Sequence, residues 1–218
     1  GKALVVRDCG GADFYIVGDR TGGLHLVWSD AEGLTRTELT TIDLTRSIGE
    51  LDFANVEAEP LVSGDTKATM RRMLDAGRIM LAADTLGTGW RMIEKAVDYA
   101  KERKQFGRVI GSFQAGKRMC AEMAAELEPG RSLIWYAAHA FDVIPDESSL
   151  MAAHAKAHLS EVGRFVARTA TEVHGGMGFT DLLGLHYWFK RIGLDRQLLG
   201  SPERVRYEAA VMQGWAAD

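Results

Sequence analysis

Two short runs about seventy positions apart hold the residue types best suited to an anionic, aromatic ligand. They are Arg103-Lys104-Gln105-Phe106-Gly107 and His174-Gly175-Gly176-Met177-Gly178-Phe179. Arg103 offers a planar guanidinium fork that matches phosphate oxygens. Phe106 offers a ring face. Gly175, Gly176 and Gly178 allow a backbone to approach a ligand where a Cβ would collide. Each run also has a plainer reading. The first reads as a helix that ends in charged residues and leaves through Phe-Gly. The second reads as a Gly-rich helix C-terminus in the left-handed conformation. No metal chemistry is expected. His154 and His158 are four apart on a helix, but lack a third ligand or the glutamate of a zinc-protease motif. Cys9 and Cys120 lie far apart and read as reduced, half-buried thiols.

The elements that must position these runs change character near Gly64. Before it, apolar stretches at 3–6, 14–17, 24–28 and 51–53 alternate with Gly-rich turns, which predicts an antiparallel β unit of about five strands. After it the period becomes helical. Met70, Met73, Leu74 and Gly77 share a face, followed by Leu81, Leu86, Ile93 and Val97. Further helices are predicted over 112–141, 147–173, 182–190 and 202–215. Pro129-Gly130 should kink or split the first of these, and Ser201-Pro202 supplies an N-cap and first-turn proline for the last. The expected fold is mainly α: an up-down four-helix bundle over 64–218, preceded by a partial β domain over 1–63. Trp135-Tyr136, Tyr187-Trp188-Phe189 and Met119/Met123, at helical spacing, read as bundle core.

Composition narrows the class. A chain of 218 residues, 46% hydrophobic and 26% charged, is long enough for one large or two small cores. Its net charge of −4, with basic residues dispersed among acids, argues against a nucleic-acid footprint. No apolar run approaches the roughly 20 residues of a membrane span. A cytoplasmic location is the expectation.

The two runs, at this spacing and in helix-rich sequence, resemble the acyl-CoA dehydrogenase family from about Gly64 to Trp215, and more loosely back to Gly1. The resemblance implies the second part of that family's middle β domain plus its C-terminal bundle. It also implies FAD as cofactor. Arg103 would meet the pyrophosphate of a neighbouring subunit's flavin, and Phe106 would pack on it. Gln114, in Ser112-Phe113-Gln114, matches a glutamine that contacts the same cofactor. His174, Gly175 and Gly176 would face its adenosine-diphosphate part. Ser201 and Glu203 match positions that touch the subunit's own flavin, although Pro202 and the acid at 203 depart from the usual pattern. Arg78 matches an arginine on the substrate side, near the thioester.

The resemblance also exposes a gap. The family reaction needs a carboxylate within reach of the substrate's α-carbon. Most members place it in a Tyr-Glu-Gly-Thr stretch, matched here by Leu198-Leu199-Gly200-Ser201. Leu199 cannot accept a proton. A minority use the position before the arginine, which is Gly77. Asp75 and Glu208 lie nearby but are misplaced for the role. The resemblance therefore implies a subunit of a heteromeric acyl-CoA dehydrogenase that lends flavin contacts across an interface, with the glutamate on a partner chain. Alternatives are a non-catalytic assembly subunit, or a fragment of a homotetrameric dehydrogenase with an unusual base. An acyl-CoA thioester and electron-transfer flavoprotein are the implied partners.

Overall fold

The computed structural model describes residues 1–61 and 64–217. The expected boundary between 63 and 64 abuts Val62 and Ser63, which lie outside the described residues. The chain forms two compact units, Gly1–Met73 and Leu74–Asp218.

Among its described residues the first unit holds six strands in two antiparallel three-stranded sheets. One sheet has the order β1 (Lys2–Arg7), β5 (Ile48–Phe53), β4 (Leu34–Leu39). The other has the order β2 (Phe14–Gly18), β3 (Leu24–Trp28), β6 (Glu59–Pro60). Cys9, Tyr15 and Leu51 make the buried centre. β4 is almost wholly exposed, so it lacks the apolar alternation that marks its neighbours in sequence.

The second unit is built from long helices. α1 (Thr66–Glu102) runs unbroken for 37 residues from the end of the first unit. A two-strand hairpin, β7 (Lys104–Gln105) and β8 (Arg108–Val109), follows it. Then come α2 (Gln114–Leu127), α3 (Pro129–Val143), α4 (Pro145–His174), α5 (Leu185–Gln197) and α6 (Pro202–Met212). The stretch predicted over 112–141 divides at Pro129, which occupies the first turn of α3, where its missing N–H costs nothing. α5 begins later and ends later than predicted. Gly184, in the left-handed conformation at φ 62°, turns the chain into it. α4 is the central rod. Ala152, Ala155, Leu159, Val166 and Ala170 face a core shared with Met92 and Ala96 of α1, Met123 and Leu127 of α2, and Ala137 of α3.

The aromatic clusters do not all join that core. Met123 is buried, but Trp135, Tyr136, Tyr187 and Phe189 are exposed. On α3 the inward stripe is taken by Ile134 and Ala137, which turns Trp135 about 100° away. Val166 and Ile192 are buried in the bundle, while Phe165 reaches the surface.

Candidate functional site

The two runs converge. α1 delivers Arg103 one residue past its end, and α4 delivers His174 as its last residue. A cleft of about 400 Å³ lies between them, lined by Arg103, Gln105, His174, Gly175, Gly176 and Met177, with Tyr99 and Glu172 on its walls. His174 is buried, and its Nδ1 donates to the Ala170 carbonyl at 2.7 Å. Its ring stacks on Tyr99 with centroids 4.7 Å apart. Burial holds the imidazole below its ordinary pKa, so it stays neutral at pH 7. A neutral, doubly anchored ring shapes the wall and is not poised to exchange protons.

The glycines of the second run have different jobs. Gly175 sits at φ 58° and ψ −141°, a conformation that favours glycine, and leads into a 3₁₀ turn over Gly175–Phe179. This is not the left-handed cap expected from sequence. A Cβ at Gly175 or Gly176 would meet nothing within 4 Å, so their backbone stands open to the cleft. Gly178 is different. Its Cβ would lie 2.9 Å from the Thr171 carbonyl, so it serves helix packing and not ligand approach.

The first run leaves the charged end of α1 through a tight hairpin. Phe106 (φ 53°) and Gly107 (φ 77°) form its two-residue turn, the pattern that matches strand twist. A phenylalanine at positive φ is uncommon, and this one is 91% exposed. Its ring meets Phe113 edge-on at 6.2 Å, and the Arg108 guanidinium lies 4.0 Å over Phe113. Gln114 follows directly as the exposed first residue of α2. Phe106 and Gln114 thus share an exposed basic-aromatic ridge but do not line the cleft.

A second constellation surrounds residues 198–201. Leu199 adopts φ 56° and Gly200 φ 107°, making an elbow between α5 and α6. Arg78 is fully buried; its Nε donates to the Leu199 carbonyl at 3.1 Å, and its Nη2 pairs with Glu208 Oε2 at 2.7 Å. A Cβ at Gly77 would fall on Leu199 Cδ1. Positions 77 and 199 thus face one volume, and the Leu199 side chain fills it. Burial pushes Glu208 up, but Arg78 and Arg204 outweigh it and hold the carboxylate below its usual range. Asp75 is buried and accepts the Ser149 hydroxyl at 2.5 Å. Neither acid presents a free carboxylate at the elbow. Ser201 caps α6, accepting from the Arg204 N–H at 3.5 Å. Glu203 is held down to about 2 by its own backbone N–H, by Ser201 and by Arg196, whose Nη2 lies 2.6 Å away. Arg78 is a buried strut beneath this elbow.

The family model for the acyl-CoA dehydrogenase C-terminal domain matches residues 66–210. The chain belongs to the acyl-CoA dehydrogenase family. Acyl-CoA dehydrogenase IpdE2 of Mycobacterium tuberculosis is 35% identical over 80% of this chain and 51% of that protein. The caffeyl-CoA reductase-Etf complex subunit CarC of Acetobacterium woodii is 37% identical over 50% of this chain and 28% of that one. A solved variant of the Tcur3481-Tcur3483 steroid ACAD superposes with a TM-score of 0.88 at 29% identity, over 98% of this chain and 58% of that one. The chain spans about half the length of the curated relatives IpdE2 it matches. An FAD-binding fold goes with membership in the acyl-CoA dehydrogenase family.

The cleft fits part of that cofactor. Arg103 supplies a fixed cation, and Gly175-Gly176 supplies open backbone. Glu172 would repel a phosphate but suits a ribose hydroxyl, which can donate to it. A space of about 400 Å³ accommodates a portion of a dinucleotide and not its whole length. Tyr99, Glu172 and Ile110 were missed in sequence. Tyr99 had a signal, since it stands four residues before Arg103 and so on the same face of α1. Among the described residues no three His, Cys, Asp or Glu side chains gather to hold a metal, and no helix is long and apolar enough to cross a membrane.

Proposed function

We propose that this chain is one subunit of a flavin-dependent acyl-CoA dehydrogenase, lending FAD contacts across a subunit interface while a partner chain carries the catalytic glutamate. One contrast supports this reading. The Arg103–Gly175 cleft keeps the chemistry of a nucleotide site, whereas both base positions are apolar and packed against each other. Two relatives carry names that fit an assembly of this kind: CarC is a complex subunit, and the steroid ACAD pairs two designations.

When bound, FAD accepts the hydride that leaves the acyl β-carbon. Arg103 binds phosphate oxygens through charge-assisted hydrogen bonds, and the 3₁₀ turn at Gly175 lets backbone N–H groups approach the same moiety. His174 and Tyr99 hold the wall rigid without taking a proton. Phe106 and Gln114 extend the contact along the exposed hairpin ridge. Leu199 cannot take the α-proton, so that proton goes to a carboxylate on the partner. Ser201 and Glu203, engaged in capping α6 and pairing with Arg196, leave this chain poorly equipped to hold a flavin of its own. Electron-transfer flavoprotein is the proposed electron acceptor, and a cytoplasmic hetero-oligomer the proposed setting.

The test is anaerobic mixing of the co-purified complex with an acyl-CoA thioester. Bleaching of the flavin should vanish when the partner's glutamate becomes glutamine, and persist in Leu199→Ala of this chain. Bleaching that survives loss of the partner's glutamate contradicts the reading.

A further inference from the structure

The last carbonyls of a helix have no partner within it, and at a surface they take water. At the end of α5 they are instead received by a buried lysine. Lys156, on α4, is 1% exposed. Its Nζ donates to the Asp195 carbonyl at 2.6 Å, the Arg196 carbonyl at 3.1 Å and Ser160 Oγ at 3.1 Å. Three ammonium donors meet three acceptors. The chain then passes through Leu198 into Leu199 and Gly200, both at positive φ, where Arg78 receives the Leu199 carbonyl.

We propose that Lys156 is the positioning residue of the 198–201 elbow, gripping it from the α5 side while Arg78 grips it from α1. The proposal rests on reading that elbow as the family's base-bearing segment. Stability alone does not account for the arrangement. Burying an ammonium costs several kcal/mol, and an apolar side chain of similar length would fill the space without that cost. The charges around it are mixed: Asp195 attracts the ammonium, while Arg196 on α5 and Arg78 on α1 repel it. On α4 itself, Glu161 is engaged by Arg196 at 2.9 Å. What the buried cation gains is a fixed direction for two adjacent carbonyls at the end of α5, just before two residues at positive φ. The elbow therefore presents Leu199 at one defined place on Gly77, in this chain as it would a base.

Hydrogen–deuterium exchange of the full chain tests this without flavin or substrate, so its failure is distinct from failure of the functional reading. In Lys156→Met, amides at 198–201 should exchange at least roughly tenfold faster, with α4 core amides unchanged and Tm not lowered. A pH profile of the unmodified chain gives a second reading. Burial lowers Lys156 to about 8, and a neutral amine has two donors for three acceptors. Protection at 198–201, corrected for intrinsic exchange, should therefore fall between about pH 7 and pH 9.5, while α4 keeps its protection. Elbow protection that ignores both the substitution and the pH, or loss spread evenly through the bundle, overturns the proposal.

Discussion

The Arg103–Gly175 cleft and the 198–201 elbow are built on opposite principles. The cleft is open. Its cation is exposed, its glycines face empty space, and its imidazole is neutral. The elbow is closed. One buried cation, Arg78, grips its backbone, a second, Lys156, grips the end of α5 just before it, and Leu199 packs on Gly77. The first region is laid out to receive a group from outside the chain. The second is laid out to hold its own backbone still. That difference is what a chain completing another subunit's cofactor site, without abstracting a proton itself, would require.

The largest expected effect sharpens the closed side. Lys156 titrates near 8 in the fold and near 10.5 when unfolded, so at pH 7 its burial as a cation costs roughly 3 kcal/mol. Between pH 8 and 10.5 the unfolded chain binds the extra proton, so stability should rise with pH through that window. Lys156→Met should remove the rise and be the more stable form at pH 7 in urea denaturation. A stability that falls through that window would remove the cost on which the comparison leans.

On the open side, Arg103→Ala should weaken flavin retention in the assembled complex by about 10- to 100-fold, the value of a charge-assisted contact of about 1.5–3 kcal/mol. Unchanged flavin content per complex takes Arg103 out of the site. Gly175→Ala should destabilise the chain by about 1–3 kcal/mol through backbone strain alone, since its Cβ meets nothing. Gly176→Ala, with open space and no positive φ, should leave Tm unchanged.

The smallest effect is a sign. Gly77 lies within α1, where alanine is favoured over glycine by about 1 kcal/mol. Packing of Leu199 on Gly77 should cancel or reverse that gain, and the gain should return in the Leu199→Ala background. Equal Tm shifts in the two backgrounds would show that the two positions do not share one volume.

How much of this was legible follows from the residue types. Arg103 and the Gly-Gly pair stand out because a guanidinium and bare backbone in matched runs are poorly explained by packing alone. The β-to-α change at Gly64 was legible through period, and β4 was not, because its side chains are nearly all in solvent. Lys156 was hidden. A lysine on a helix normally reads as a solvated residue, although this one lies among Ala152, Ala153, Ala155, Ala157 and Leu159, all buried. Gly178 reads as ligand space and serves packing, because its Cβ would clash with the Thr171 carbonyl seven residues back in its own chain. The seat of Leu199 on Gly77 joins residues more than a hundred positions apart, and no local pattern records it.

The most direct test is the visible spectrum of the full-length protein purified alone and after co-expression with a glutamate-bearing acyl-CoA dehydrogenase-like partner. Flavin absorbance in the co-purified complex and none in the lone chain is the predicted result. Flavin bound by the lone chain and bleached by an acyl-CoA thioester would contradict it, and would place a working base on this chain.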